Sequence, residues 1–449
     1  MSDTFKKGGG ETINPLARNF TCGALLQFAL PSIFMMIFMG IYTIVDTIFV
    51  SRLVNTDALA AVNIVCPVIN LTVGLGAMFA SGGSAVISRK MGEEKEEEAD
   101  RNFTFLVVCV GLLGGFISLF GTLFIKQIIL FLGASESLYP YCREYLSVLL
   151  LFMPAGILQV LFQNFFVTAG RPGLGFGLAA AAGCVNGILD YLFIGIFHMG
   201  IAGAALGTGI GYLIPSVVGC IFFGVSKGSL KFCRFRPDWA VVLESCLNGS
   251  SEMVSQMSTA VTTFLFNRVM LELAGDHGVA AITILIYSQF LLSSLYLGFS
   301  MGVAPVIGFK YGNRNIEQLK QIFRSCLAFI GASSALVFCV SFLGGSLITR
   351  LFVKEQEEVY VLARAGFVIF SFSFLFSGMN IFTSSLFTAL SNGKVSAVLS
   401  FLRTFGFITL GLLTLPEIIG INGVWLAVPV AEALTFCFSW AFLKKYVGF

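Results

Sequence analysis

Residues Leu30 to Asn55 read LPSIFMMIFMGIYTIVDTIFVSRLVN: an unbroken apolar run with Pro31 at its start and one acid, Asp46, deep inside it. A run this long is a membrane-crossing helix, because roughly 20 apolar residues span the hydrocarbon layer. A carboxylate well inside such a helix costs about 2.5 to 3.5 kcal/mol on insertion scales, so it is kept where it faces a cavity or a partner. Asp46 is therefore a candidate functional residue, and the rest of the chain is read for polar company that reaches it. The competing reading places Asp46 near the membrane surface, where Arg52, Asn55 and Asp57 follow it.

Outward from this run the pattern repeats. With 57% hydrophobic and 11% charged residues and a mean hydropathy of +0.90, the chain has too little polar surface for a water-soluble globule. The apolar segments are far longer than the ten or so residues of a barrel strand, so the expected class is an all-α integral membrane protein of about twelve spans. The basic residues fall in alternate joints: Lys6, Lys7 and Arg18 first, then Arg89, Lys90, Lys95 and Arg101, then Arg171. Lys227, Lys231, Arg234 and Arg236 follow, then Lys310, Arg314, Lys320 and Arg324, then Lys394, and finally Lys444 and Lys445. The positive-inside rule then puts both termini in the cytoplasm. The first apolar run is too long for a cleavable signal and is expected to remain as a span. The 11 cysteines stand singly in apolar runs with no metal-binding spacing, and His198 and His277 fall in predicted outer joints.

In chain order, residues 1–20 are expected as a flexible cytoplasmic lead, 21–226 as a first lobe of helices one to six, 227–239 as a cytoplasmic linker, and 240–449 as a second lobe of helices seven to twelve. Span three is expected from about Phe103 to Leu130 and span four from about Tyr139 to Ala169, each as one helix. The run MGEEKEEEADR, Met91–Arg101, reads as a solvated helix start. In span five Asn186 and Asp190 stand four apart and share a helix face; span six opens GIAGAALGT and offers the Thr208 hydroxyl.

Sliding the chain against itself by 220 residues aligns both halves. Gly82, Lys90 and Gly92 meet Gly302, Lys310 and Gly312; Thr168 and Ala169 meet Thr388 and Ala389; Gly200 and Gly203 meet Gly420 and Gly423. Six spans per repeat is an even number, so the two bundles enter the membrane the same way up. They are expected to be related by a pseudo-two-fold axis along the membrane normal, with a cavity between them. The halves differ in their polar residues. Asp46 meets Phe266, Asn186 meets Gly406, Asp190 meets Leu410 and Thr208 meets Val428. A cation or proton site in the first lobe is the expectation, built from Asp46, Asn186, Asp190 and Thr208, with Asp46 and Asp190 as the metal ligands if the ion is Na⁺. In the second lobe Glu252, Glu432, Gln289 and Arg403 are candidates for a second polar locus or substrate contacts, while Arg268 and Glu272 are spaced to neutralise one another.

The combination of Pro31, VDTIFVSRL, LAAV, QNFFVTAGRP, the Asn186–Asp190 pair, GIAGAALGT and GVAPVIGFKYGNRN resembles the multidrug and toxic compound extrusion (MATE) family over essentially the whole chain. NGSSEMVSQ, Asn248–Gln256, looks most like its bacterial MepA-like branch. The resemblance implies a twelve-helix V-shaped exporter in a bacterial cytoplasmic membrane, coupled to inward H⁺ or Na⁺, with Asp46, Asn186, Asp190 and Thr208 matching the family's first-lobe ion site. An acid deeper in helix seven, present in some sodium-coupled members, is absent: Glu252 lies near the start, with Ala260 and Phe264 further in. The expected activity is antiport of amphipathic, cationic substrates with helix one kinking at Pro31. The chain is expected to work as a monomer, with membrane lipids around it and no enzyme activity, cofactor or nucleic acid. A flippase for lipid-linked saccharides needs basic cavity residues, for which Arg268 and Arg403 are the candidates. A membrane-embedded transferase needs an aspartate-rich metal motif that the sequence lacks. A channel or scaffold is the remaining alternative.

Overall fold

A computed structural model describes residues 14–54, 56–226, 228–353 and 358–446, without the side chains of 46–53, 56, 59 and 351–352. Among the described residues the chain is helical throughout, with no strand. The first half comprises α1 (Cys22–Leu53), α2 (Thr56–Gly92), α3 (Glu96–Leu123), α4 (Ile125–Phe131), α5 (Tyr139–Leu151), α6 (Met153–Thr168), α7 (Pro172–Asp190) and α8 (Gly200–Val225). The second comprises α9 (Trp239–Gly312), α10 (Ile316–Phe352), α11 (Glu358–Phe370), α12 (Phe374–Ala389), α13 (Gly393–Phe401), α14 (Phe407–Ile419) and α15 (Ile421–Tyr446).

Ten of the described helices are long and apolar enough to cross a membrane, eleven when α5 and α6 count as one span. The 74-residue α9 is two spans joined at Gly275, whose φ of 60° breaks the helix and lies where a side chain would be strained. Twelve spans result, as the sequence predicts. Two predicted helices are not continuous. Span four bends by 57° between α5 and α6, where Pro154, in the first turn of α6, has no N–H to continue the ladder. Span three ends at Leu123, because Phe124 leaves helical geometry before the separate α4 begins. By contrast α1 runs on through Pro31 as one helix.

The packing carries the two-fold repeat. Gly200 and Gly420, 220 apart, both turn with φ near +60°, and so do Glu94 and Arg314. At the ends of α2 and α9 the contact is reciprocal. A methyl on Gly92 would strike the Phe309 carbonyl, and one on Gly312 would strike the Arg89 carbonyl, which is 220 residues before Phe309. Higher on the same seam Gly82 abuts Gly249, and Gly302 lies against Ala29, the position 220 residues before Gly249. Small residues here let the backbones of the two halves touch directly.

These contacts run from the middle of the molecule to the end that carries the basic joints. The apolar core follows the same division. One cluster, including Phe28, Phe79, Phe103, Phe165, Phe299 and Phe382, joins both halves at the basic end. At the other end each half has its own: one around Val65, Tyr145, Leu149 and Ile201, the other around Phe266, Leu285, Phe367 and Trp425. The halves are thus fused at one end and separate at the other.

Two connecting segments are docked. Residues 228–238, within the expected linker, lie along α3. Lys231 N–H donates to Asp100 Oδ1 at 3.1 Å and Cys233 N–H to Thr104 Oγ1 at 3.1 Å, while Phe232 stacks on Phe103 with centroids 5.4 Å apart. The lead is not loose over its described part, which corrects the expectation for 14–20; residues 1–13 lie outside the described set. Pro15–Ala17 form a 3₁₀ turn, and Leu16 and Phe20 are fully buried. Pro15 packs on Gly170 of the first half. On the second half, Lys310 Nζ donates to Ala17 O at 2.9 Å and Phe20 N–H to Gln318 Oε1 at 2.6 Å. The lead is held because two large apolar side chains find a core and its carbonyl satisfies a buried ammonium.

Candidate functional site

The polar residues of spans five and six meet. Asn186 and Asp190 lie one turn apart on α7, and both are buried, as is Thr208 on α8. Asn186 Nδ2 donates to Thr208 Oγ1 at 3.5 Å. Gly207 makes room for the acid: a methyl there would collide with Asp190 Oδ1 and lie 3.5 Å from Asn186 Nδ2. Directly after Asp190 the helix widens into a π turn, Tyr191–Ile196, a distortion that recurs at functional positions in helices.

A cavity of about 20 Å³ opens beside them, lined by Met39, Tyr42, Gln159, Gln163, Asn186 and Thr208 among others, which is room for one water-sized guest. Asn186 Oδ1 is buried with no hydrogen bond among the described residues and is available to a ligand. The α1 backbone passes close by, with Gly183 of α7 packed against Phe38 and Tyr42. Asp46 lies one turn beyond Tyr42 on α1, but its side chain lies outside the described residues. Three of the four expected residues are thus brought together, and the fourth is placed by its helix position alone. Gln159 and Tyr212 were not singled out by the sequence; amides and phenols carry no charge to flag them in an apolar run.

The second half holds a different arrangement. Arg403 sits in the π turn Leu402–Gly406 and pairs with Glu432 on α15, Nε to Oε1 at 2.8 Å, with Glu432 only 2% exposed. Asn380 Nδ2 donates to the other oxygen, Oε2, at 2.7 Å, and to Glu432 O at 2.8 Å. Ser439 Oγ donates to Asn380 Oδ1 at 2.9 Å. Glu252, half-buried on the first arm of α9, also feels the Arg403 charge. Gln289, half-buried on the second arm, makes no hydrogen bond to this group among the described residues. Arg268 and Glu272 pair at 3.3 Å with both side chains about two-thirds exposed. Asn380 and Ser439 are the residues the sequence missed here; only their partners reveal them.

A polytopic helical protein of two equivalent halves, fused at one end and carrying a polar pocket inside one half, has the architecture of a secondary transporter. A family model described as MatE matches residues 31–192 and again 252–412, the same repeat seen in the packing, and the chain belongs to the MatE family. It is 25% identical over 427 residues to the multidrug export protein MepA of Staphylococcus haemolyticus, covering 94% of this chain and 92% of that one. It is 24% identical to MepA of Staphylococcus aureus strain MRSA252, covering 92% and 91%. Among solved structures, the outward-facing conformation of a multidrug resistance MATE family transporter of the MOP superfamily superposes with a TM-score of 0.90 at 21% identity, covering 99% of each chain. A MATE crystal structure in complex with MaL6 gives 0.89 at 21% identity, covering 97% of this chain and 99% of that one.

Proposed function

We propose that this chain exports amphipathic organic cations from a bacterial cell by antiport against H⁺ or Na⁺, alternating access by rocking its two halves. The observation that carries the reading is the Asn186–Asp190–Thr208 cluster beside its small cavity, present in one half of a symmetric fold and absent from the other. The relatives named as multidrug export proteins agree with it. The domain boundaries follow the sequence reading, with residues 21–226 and 240–449 as the moving halves and 227–239 as their connection. One chain supplies both halves, so a monomer is sufficient.

Ion binding at Asp190 and Asp46 would neutralise charge held in a low-dielectric interior. It shifts the conformational equilibrium only if the two states bind the ion with different affinity, and a carboxylate whose solvation changes between them meets that condition. Helix α1, which carries both Pro31 and Asp46, is the element positioned to respond. The fused core at the basic end, taken as cytoplasmic from the charge distribution, supports a state open to the outside. A lipid-linked saccharide would need free cations for its phosphates, and Arg268 and Arg403 are each engaged by a carboxylate.

The test is transport in proteoliposomes loaded with a fluorescent organic cation, with a proton gradient and a sodium gradient imposed separately. One gradient is expected to drive flux, and Asp46→Asn and Asp190→Asn are each expected to abolish it at normal expression. Undiminished flux in both variants would overturn the mechanism.

A further inference from the structure

We propose that the Arg403 guanidinium is a built-in counter-cation filling the acidic pocket of the second half, so that this half takes up no coupling ion. The observation is the completeness of the Glu432 shell. Oε1 is taken by Arg403 and Oε2 by Asn380, at 2.8 and 2.7 Å. Ser439 fixes the amide by donating to its oxygen, which turns the Asn380 NH₂ toward Glu432. No coordination position is left for an ion from solution.

The positive charge is permanent, because a guanidinium does not lose its proton in a protein. An external cation approaching Glu432 or Glu252 therefore meets a fixed like charge at Arg403. The first half is the opposite case: Asn186 Oδ1 is buried without a hydrogen bond among the described residues, beside a cavity with room for one guest. One half is organised to accept a cation and the other already contains one. That the first half carries the coupling alone rests on the function proposed above; that Arg403 closes the second-half pocket does not.

The experiment is thermal unfolding of the purified protein in detergent, with millimolar guanidinium chloride, sodium chloride or N-methylglucamine chloride. Arg403→Ala leaves Glu432 buried and uncompensated and creates a void of guanidinium shape. It is expected to melt several degrees below wild type and to regain most of that loss, saturably, with guanidinium. Arg403→Ala combined with Glu432→Gln removes both charges and is expected to melt close to wild type with no such response. An Arg403→Ala variant insensitive to guanidinium and sodium, or a double variant that responds equally, would overturn the proposal. Should Arg403→Ala not be recoverable, the folded double variant still decides through equilibrium binding of the coupling ion. It is expected to bind as many ions as wild type, and one ion fewer would mean that Glu432 held one. A wild type that moves no organic cation would sink the transport reading while leaving both of these results standing.

Discussion

Gly207 is the smallest residue possible where α8 faces the Asp190 carboxylate, and the first half depends on that absence of a side chain. A methyl group added to this packed position forces a shift that typically costs about 1–3 kcal/mol, and here the atoms in the way are those of the acid itself. Gly207→Ala is therefore expected to fold and insert normally but to weaken coupling-ion affinity by about tenfold or more, since about 1.4 kcal/mol is one decade. Ion titration of transport rate in proteoliposomes checks it, and unchanged affinity would show that Asp190 does not contact the ion. Asn186, Asp190 and Thr208 were legible in the sequence because a charge or amide in an apolar helix is costly and therefore conspicuous. Asn380 and Ser439 were not, although both are equally buried. Their meaning lies in partners 52 and 59 residues away, and helical spacing reports only neighbours within a turn or two.

At the scale of elements, the connection between the halves is a strap and not a free joint. It is pinned to α3 through Asp100, at the helix start that precedes the membrane-crossing part of α3. Burial pushes the Asp100 carboxyl up to about 6 from an ordinary 3.8, helped by Glu96 and Glu97 and opposed by the Lys231 N–H and the Lys231 charge. A carboxyl raised in the docked state favours docking when protonated, so its contribution is complete below about pH 4 and is lost as pH rises through about 6. The strap is expected to be held more tightly at pH 5 than at pH 7.5. Asp100→Asn should hold it equally at both, as read by the mobility of a nitroxide at position 236 in a cysteine-free background. A wild type with the same mobility at both pH values would remove Asp100 from the docking balance. The sequence placed this segment correctly as a joint, from its charges and its Pro237. It did not show the docking, because the aromatic contacts of Phe232 and Phe235 with Phe103 and Phe105 join residues about 130 apart. The bend of span four was missed for a related reason: a proline in an apolar run reads equally as a kink or as a fresh helix start.

For the molecule as a whole, the seam between the halves is made of backbone. Gly92 and Gly312 touch the opposing carbonyl chains reciprocally, so a side chain at either position must part the halves at the basic end. Gly92→Val and Gly312→Val are each expected to lengthen the distance between spin labels at positions 97 and 317, measured in a cysteine-free background. An unchanged distance distribution would show that the seam yields locally. The repeat itself was legible because turns and close approaches demand glycine at the same place in both halves, whatever the surrounding apolar residues. The lead was not, since a glycine-rich start followed by isolated Leu16 and Phe20 has no periodicity to read. Its docking has a consequence in time. Ala17 and Phe20 bond groups made 293 and 298 residues later, and at about 5–20 residues per second the ribosome needs roughly 15 to 60 s to supply them. Through that interval Leu16 and Phe20 lack their burial site, open to chaperone or protease. A chain stalled before Lys310 keeps them uncovered, so the first segment synthesised reports whether the second half has been made.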